Sequence, residues 1–450
     1  MSTPDAIRAV ASQVAADGPS SPRRARDPVN MPSIRNWTDA IGDANPVYTD
    51  PNVAARSIHG GLVAPPAMVQ VWTMPGLQHR PGDTGPDPLG QMMITLDDAG
   101  YSSVVATNCD QTYFRYLRHG ELLELRSELV DVTGPKRTAL GEGWFVTTRN
   151  IWYSGEEPVA SMDWRVLKFR PAGAARGEDA GAVQPVAAEP IMRPPYSPDT
   201  EFFWAGTAIG ELRIQRCGEC GALRHPPGPA CLSCGSTDKQ DYQVAAGTGS
   251  IYSYVVHRHP PVPGKQLPIV IALIELTEGV RMLGELHGIK PEEVRIGLPV
   301  RVKFARVDDN LVLPAWREDA RARPGALPEL TLDVTSTMIV STAIATRDFY
   351  PVHHDRDFAM RGGGKDIFLN ILTTTGLVQR YVTDWAGPDA LVRAVSIRLG
   401  APCYAGDTLT FSGHVTGNEG DEQVVAVTGT CGLGDHVTGT VRLVPARGPA

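Results

Sequence analysis

Arg347-Asp-Phe-Tyr-Pro-Val-His-His-Asp355 is the stretch from which the fold is inferred, because it combines acids, a proline turn and two imidazoles in nine residues. Asp348 and His353 lie five positions apart, with Pro351 between them. Proline restricts its own φ and disfavours the helical region for the residue before it. The segment is therefore predicted to bend as a loop that brings both side chains to one side.

An earlier stretch, Asp43-Ala-Asn-Pro-Val-Tyr-Thr-Asp50, repeats this frame. In both copies Pro, Val and Asp follow the first Asp at the same distances, but Tyr48 stands where the second copy has His353. A phenol with a pKa near 10 cannot activate water at neutral pH as an imidazole can. The chain is therefore predicted to hold two copies of one module, with Asp43 and Tyr48 forming a degenerate site in the first.

Length and composition limit the possible classes of protein. The chain has 450 residues, 42% of them hydrophobic, which suggests about three domains. A net charge of −8 argues against nucleic-acid binding, which needs a basic face. The chain shows neither an apolar run long enough to span a membrane nor the apolar core of a signal peptide. A cytoplasmic protein without membrane contact is predicted.

Four of the seven cysteines form a C-x2-C-x10-C-x2-C pattern: Cys217, Cys220, Cys231 and Cys234. Paired knuckles at this spacing suit tetrahedral coordination of zinc by thiolates. Two disulfides are the alternative, but they are rare in the reducing compartment expected for a chain without a secretion signal. With four thiolate ligands no open position remains, so the predicted zinc is structural.

The pattern of elements predicts an α+β fold in which two helix-plus-sheet modules flank a small β-barrel. Each outer module is predicted to have one helix followed by four strands. The helix of the first module, over 67–74, is short and bracketed by prolines. The helix of the second module, over 365–385, is longer. Short, evenly spaced strands after the cysteines suit a closed barrel. The predicted segments are an arm over 1–33, a module over 34–170, a linker over 171–195, a cysteine and barrel domain over 196–320, and a module over 329–446.

Both outer modules resemble the MaoC-like (R)-specific enoyl-CoA hydratases, which have the hot-dog fold. The resemblance rests on Asp43-Ala-Asn-Pro-Val and Asp348-x-x-Pro-Val-His353, each followed by a glycine-containing turn, a helix and a Gly-Asp or Gly-Glu strand start. The middle domain is similar to the acyl-CoA-associated zinc-ribbon and OB-fold family. This order of domains resembles a fusion of the two subunits of the actinobacterial steroid side-chain enoyl-CoA hydratase.

The chemistry implied is the addition of water to an α,β-unsaturated acyl-CoA thioester, with a bulky steroid side-chain intermediate as the expected substrate. His353 is the expected base, because its ordinary pKa near 6.5 lets it take and return a proton at neutral pH. Asp348 would orient the water and the imidazole. Backbone amides at Gly363 and Gly364, predicted to begin a helix, would bind the enolate oxygen.

Other interpretations of the same residues remain. An Asp and a His in one loop are often only a solvated surface pair, and the chain could be a non-catalytic acyl-CoA-binding scaffold. Nucleic-acid binding through the zinc ribbon and barrel is disfavoured by the acidic charge. The resemblance further implies a thiolase-like aldolase as partner of the middle domain, and a homodimer is expected.

Overall fold

The computed structural model describes residues 3–77, 87–138, 141–171, 193–237, 240–265, 267–308, 311–362 and 364–446. The chain forms two compact units, Met1–Gly177 with Pro324–Ala450, and Glu178–Arg323. Most of the predicted linker and of a Gly- and Pro-rich insertion after residue 80 lie outside the described residues, as does Gly363.

The described residues form eight α-helices. In chain order they are α1 (Thr3–Ala16), α2 (Met31–Ile41), α3 (Pro51–Arg56), α4 (Pro88–Asp98), α5 (Glu201–Ala208), α6 (Ser336–Thr346), α7 (Arg356–Arg361) and α8 (Ile371–Ala386). Short 3₁₀ helices cover Pro46–Tyr48, Pro66–Thr73, Ala320–Ala322 and Pro351–His353. Among the described helices, none is long and apolar enough to cross a membrane.

The described strands number eighteen. They are β1 (Arg23–Arg24), β2 (Ser103–Tyr113), β3 (Leu123–Thr138), β4 (Gly141–Ser154), β5 (Glu157–Pro171), β6 (Arg213–Cys217), β7 (Leu223–Arg224), β8 (Gln240–Val244), β9 (Thr248–His257), β10 (Ile269–Leu276), β11 (Arg281–Leu286), β12 (Pro299–Asp308), β13 (Leu311–Glu318), β14 (Leu330–Val334), β15 (Leu391–Leu399), β16 (Asp407–Glu419), β17 (Glu422–Cys431) and β18 (Gly434–Val444).

The two repeated modules share one ten-stranded sheet in the first unit. Its order is β1-β3-β4-β5-β2-β15-β18-β17-β16-β14, so β2 to β5 belong to the first module and β15 to β18 to the second. An antiparallel ladder between β2 and β15, with Cys109 opposite Ile397, joins them. The modules therefore pair within one chain. Their repeated order of helix, acidic loop, 3₁₀ turn, helix and four strands confirms the internal repeat.

The second module's long helix is buried in the core of this unit. Leu377 and Val378 of α8 are fully buried, and α8 packs against β2, β15 and β18. Gly376 lies against α2, where a Cβ would stand 2.7 Å from the indole of Trp37. A larger residue at 376 would force the two helices apart, so the close approach requires glycine.

The first module's counterpart is a 3₁₀ helix over Pro66–Thr73, as short as predicted. The amide of Ala67 donates to Oε1 of the buried Gln379 in α8, at 2.8 Å. The start of this short helix is thus bonded to the second module. The two modules therefore differ most in the length of the helix that their sheet covers.

The second unit contains a closed barrel and a three-stranded sheet, as expected for an OB fold and a zinc ribbon. The barrel order is β10-β11-β13-β12-β9, and the small sheet has the order β7-β6-β8. Trp316 and Val300 are fully buried inside the barrel. Ile214 of β6 belongs to the same apolar cluster, so ribbon and barrel share a core.

Three features differ from the sequence prediction. The helix predicted over 365–385 begins only at Ile371, because Asn370 caps it with Oδ1 accepting the amide of Thr373 at 2.6 Å. Helix α4 was not predicted, although Asp87 before Pro88 is a strong start signal. The predicted arm is packed against the first unit, because the buried Ile7 and Val14 of its helix α1 join α4 in a second small core on the sheet.

Candidate active site

The acidic loop of the second module starts where α6 ends. Arg347 adopts a left-handed conformation with a φ of 57°, and the amide of Asp348 donates to the carbonyl of Ala343 at 3.0 Å. Oδ1 of Asp348 then accepts the amide of Tyr350 at 3.3 Å. The chain continues into the 3₁₀ turn Pro351–His353, which turns His353 back toward the acid. The proline turn therefore forms the loop that the sequence predicts.

The loop brings Asp348 and His353 together. Nε2 of His353 lies 3.6 Å from Oδ2 of Asp348. His353 is buried with 7% of its surface exposed, whereas the side chain of Asp348 keeps 20%. The separation exceeds a direct hydrogen bond and is short enough for both groups to contact one small molecule.

The imidazole of His353 is held in a single tautomer. Nδ1 lies 2.8 Å from the carbonyl oxygen of Phe368. A carbonyl only accepts, so Nδ1 carries the proton and Nε2 is left with its lone pair. Burial lowers the pKa of His353 below its ordinary value, although the charge of Asp348 and the bond to Phe368 act in the opposite direction. At neutral pH the side chain is therefore a neutral base aimed at Asp348.

The carbonyl of Phe368 is held in place by the segment between β15 and β16. Phe368 forms an antiparallel bridge with Tyr404, and the amide of Leu369 donates to the carbonyl of Cys403 at 3.0 Å. The ring of Phe368 also meets the imidazole of His353 edge-on, with centroids 5.2 Å apart. Sequence reasoning missed this partner, because a main-chain carbonyl leaves no residue signature.

The glycines proposed for the oxyanion site do not begin the long helix. Gly364 follows α7, and its amide donates to the carbonyl of Ala359 at 3.0 Å. Residues 365–370 are not helical, and α8 begins seven residues after Gly364. The predicted position at a helix start was therefore wrong for Gly364, and Gly363 lies outside the described residues.

The corresponding loop of the first module buries the side chain of Tyr48. This side chain is 1% exposed, and its hydroxyl accepts a hydrogen bond from Nε2 of Gln379 at 3.4 Å. Burial raises the pKa of Tyr48 well above its ordinary value. Asp43 is also buried, and burial raises its pKa to about 6. The group in the place of His353 is thus a protonated phenol without access to solvent, which fits the predicted degenerate site.

The four predicted metal ligands form one cluster. The sulfurs of Cys217 and Cys234 are 3.7 Å apart, those of Cys220 and Cys231 are 3.6 Å apart, and all four lie within 4.8 Å of one another. Zinc–sulfur bonds of about 2.3 Å in a tetrahedron imply sulfur–sulfur distances of about 3.8 Å. Amides of the second knuckle, at Cys234 and Ser233, lower the pKa of Cys231 to about 6. The cluster fits structural zinc, and no open coordination position remains.

Four protein-family models match the chain. They are the FAS1-like dehydratase domain region over residues 18–162, the ChsH2 rubredoxin-like zinc ribbon domain over 204–240, the ChsH2 C-terminal OB-fold domain over 242–305, and the MaoC like domain over 320–435. Their order is consistent with the predicted zinc ribbon and OB fold between two hydratase-type regions.

Two relatives come from Mycobacterium tuberculosis. The 3-oxo-4,17-pregnadiene-20-carboxyl-CoA hydratase alpha subunit is 52% identical over 314 residues, which are 70% of this chain and 98% of that protein. The beta subunit of the same hydratase is 63% identical over 117 residues, which are 26% of this chain and 91% of that protein. These shares are consistent with a fusion of the two subunits.

A solved structure of a MaoC-like dehydratase matches this chain with a TM-score of 0.52. The match includes 97% of this chain and 99% of the dehydratase chain. The sequence identity is only 16%, so this likeness supports the hot-dog fold alone.

Proposed function

The chain belongs to the family of the 3-oxo-4,17-pregnadiene-20-carboxyl-CoA hydratase, and we propose that it adds water to the α,β double bond of a steroid side-chain acyl-CoA thioester. The observation that supports this most directly is the pairing of Asp348 with a neutral His353. Two acceptors, a carboxylate oxygen and Nε2, face each other 3.6 Å apart. One water could donate a proton to each, and would then be oriented and activated in one place.

The proposed reaction follows from this geometry. Nε2 of His353 takes a proton from the water as its oxygen bonds to the β-carbon, and the double-bond electrons shift toward the thioester oxygen. The resulting imidazolium returns the proton to the α-carbon, so atoms and charge balance over the cycle. Amides in the first turn of a helix have no intrahelical acceptor. Those of Ile371 and Leu372 in α8 therefore replace Gly363 and Gly364 as our candidate donors to the enolate oxygen.

A cleft beside the first module's short helix supports a bulky acyl group. Its volume is about 850 Å³, and its lining combines charged residues with an apolar part formed by Trp72, Met74, Met93 and Leu125. This volume lies within the range of about 300–1,000 Å³ that is usual for small-molecule sites. Trp72 of the short 3₁₀ helix and Leu125 of β3 both line this cleft.

The pH dependence of the reaction tests the assignment of the base. Because burial lowers the pKa of His353, its neutral form should persist below the ordinary value near 6.5. We expect kcat/KM for the unsaturated acyl-CoA to be constant at neutral pH and to fall on acidification with a midpoint below about 6.5. Loss of activity with a midpoint well above 7 would contradict a neutral imidazole base.

The middle domain is proposed to bind a thiolase-like aldolase, which would cleave the β-hydroxyacyl-CoA made by the second module. The four cysteines leave no room for a substrate ligand on the metal. Side chains on the barrel surface, including Tyr252, Val255 and Leu283, are exposed and available for contact. A dimer of whole chains and a cytoplasmic location also remain predictions.

Deletion of residues 196–320, with a flexible linker in their place, should leave hydration largely intact and abolish co-elution with the aldolase. Residues 196–320 expressed alone with zinc should still co-elute. If the deleted chain still binds the aldolase, the docking role of the middle domain is wrong.

A further inference from the structure

Two buried cysteines of the second module, Cys403 and Cys431, have no part in the proposed reaction. Cys403 lies in the segment between β15 and β16, and Cys431 is the last residue of β17. Their sulfurs and a carboxylate oxygen of Asp407 lie within 4.8 Å of one another. Sγ of Cys431 also lies 3.7 Å from the carbonyl oxygen of Pro402, so its side chain points toward the segment that carries Cys403. The two thiols can therefore meet after a small movement.

The two thiols differ in their reactivity toward an oxidant. A hydrogen bond from the thiol of Cys403 lowers the pKa of Cys431 to about 7, although burial acts in the opposite direction. The same hydrogen bond and burial raise the pKa of Cys403. The thiolate is the nucleophilic form of cysteine. Cys431 is 6% exposed and Cys403 is fully buried, so an oxidant should react with Cys431 first.

The segment that carries Cys403 also holds the hydrogen-bond partner of His353. The amide of Leu369 donates to the carbonyl of Cys403 at 3.0 Å, and Tyr404 forms a bridge with Phe368. The carbonyl of Phe368 in turn accepts the Nδ1 proton of His353 at 2.8 Å. A displacement of Cys403 therefore moves the carbonyl that orients the imidazole.

Bond formation between the two sulfurs should displace Cys403 rather than Cys431. Cys431 is paired with Gly434 in the ladder between β17 and β18, which fixes its backbone. Cys403 lies outside the strands, in a segment of the chain that can adjust more easily. The movement would therefore fall on the residue next to Tyr404.

The first module makes the corresponding contacts without a thiol. The amide of Ala64 donates to the carbonyl of Leu117 at 2.9 Å, and the next residue, Arg118, forms a bridge with Val63. Leu117 thus stands in the place of Cys403. The fold of this segment does not require a cysteine, and the thiol occurs in the module that holds the proposed catalytic pair.

We propose that Cys403 and Cys431 form a reversible disulfide that lowers the hydration activity of the second module. The effect on hydration rests on the proposed function, whereas formation of the disulfide does not. Disulfides in reducing compartments are usually transient and redox-sensing, which is the kind proposed here.

The oxidant is a peroxide. The thiolate of Cys431 attacks one peroxide oxygen and breaks the O–O bond, which gives a sulfenic acid and hydroxide. The hydroxide takes up the proton that Cys431 had released and leaves as water. The sulfur of Cys403 then displaces the sulfenic oxygen, which leaves as a second water with the proton of the Cys403 thiol. The two sulfurs thus supply two electrons to one peroxide, and a low-molecular-weight thiol reverses the step.

Mass spectrometry of the native chain tests the disulfide directly. Residues 399–442 contain no Lys or Arg before Arg442, so trypsin releases one peptide with both cysteines and none of the four zinc ligands. After treatment with hydrogen peroxide, we expect this peptide to be lighter by two hydrogen atoms and to resist alkylation unless it is first reduced. Unchanged mass, or addition of oxygen alone, would overturn the inference. So would a second zinc per chain that is lost in Cys431→Ala, because the thiols would then be metal ligands.

Activity measurements test the consequence. We expect peroxide to lower kcat for hydration about tenfold to a hundredfold, the loss that a displacement of about 1 Å can cause, and dithiothreitol to restore it. Cys431→Ala should keep its activity after the same treatment. Cys109→Ala removes a buried cysteine of the first module and leaves the pair intact, so it should remain as sensitive as the native chain. The recovery with dithiothreitol needs no variant and holds even if a substitution impairs folding.

Hydrogen exchange separates this inference from the proposed function. The amide of Leu369, which donates to the carbonyl of Cys403, should exchange faster in the oxidised chain. A disulfide that changes neither this exchange nor kcat would overturn the inference. If the disulfide and the faster exchange occur in a chain that hydrates no acyl-CoA thioester in either state, the proposed function alone is rejected.

Discussion

Replacing His353 by alanine should lower kcat for hydration by about three orders of magnitude, within the range known for loss of a general base. The side chain is the neutral imidazole of the acidic loop, with Nδ1–H donated to Phe368 and Nε2 free to accept a proton. Asp348→Asn should have a similarly large effect, because an amide can present its NH₂ group where the water needs an acceptor. Steady-state hydration of an unsaturated steroid side-chain acyl-CoA measures both losses.

Two neighbouring substitutions serve as matched controls. His354→Ala removes the adjacent imidazole, which is exposed, and should leave kcat within about threefold of the native value. Tyr48→Phe removes only the buried hydroxyl of the first module, so its effect on hydration should be mild. If Tyr48→Phe reduced kcat as much as His353→Ala, the division into one catalytic and one degenerate module would be wrong.

The proximity of the proposed catalytic pair could be predicted because its geometry is local. Asp348, Pro351 and His353 lie within six residues, and the restriction that proline places on the backbone determines how the chain turns between them. The repeat at Asp43 and Tyr48 also indicates that the chain holds a second copy of the module. Short-range stereochemistry of this kind can be derived from a single sequence, and the loop in the structure agrees with it.

The supporting interactions could not be derived in the same way. The tautomer of His353 depends on a carbonyl at Phe368, which is held by a bridge to Tyr404, 36 residues further on. The late start of α8 depends on Asn370, whose side chain caps the helix and also donates to Thr346. Apolar periodicity continues through residues 365–370 and gives no sign of this cap. Long-range pairing therefore explains the missed partner of His353, whereas the starts of α8 and α4 were missed although a capping residue marks each of them.

Pairing of the two modules is a further property that no local pattern reveals. The ladder between β2 and β15 joins segments almost 300 residues apart. Both strands are edge strands of their own modules, and an unpaired edge is a template for another strand. A fusion keeps the two edges in one molecule, which raises their effective concentration compared with separate subunits.

Removal of zinc should unfold the ribbon and leave the hot-dog unit folded. Small metal domains gain much of their folding free energy from the metal, about 10–16 kcal/mol in zinc-finger peptides. The sheet of β6, β7 and β8 is only three strands wide, and it holds the four cysteines close together. The ten-stranded unit has its own apolar core and contains none of these ligands.

We therefore expect a strong chelator to release one zinc per chain and to abolish protection from hydrogen exchange over residues 196–240. Peptides from 31–77 and 324–446 should keep their protection, and hydration activity should persist. Cys220→Ser should reproduce the effect without chelator, whereas Ser233→Ala in the second knuckle keeps all four sulfurs and should retain the metal. Ile214 of the ribbon and Phe203 pack in the same apolar cluster as the barrel, so amides of the barrel should exchange faster while its strands stay paired. A metal-free protein with a fully protected ribbon would contradict the structural role of zinc, because the cluster would then be held by packing alone.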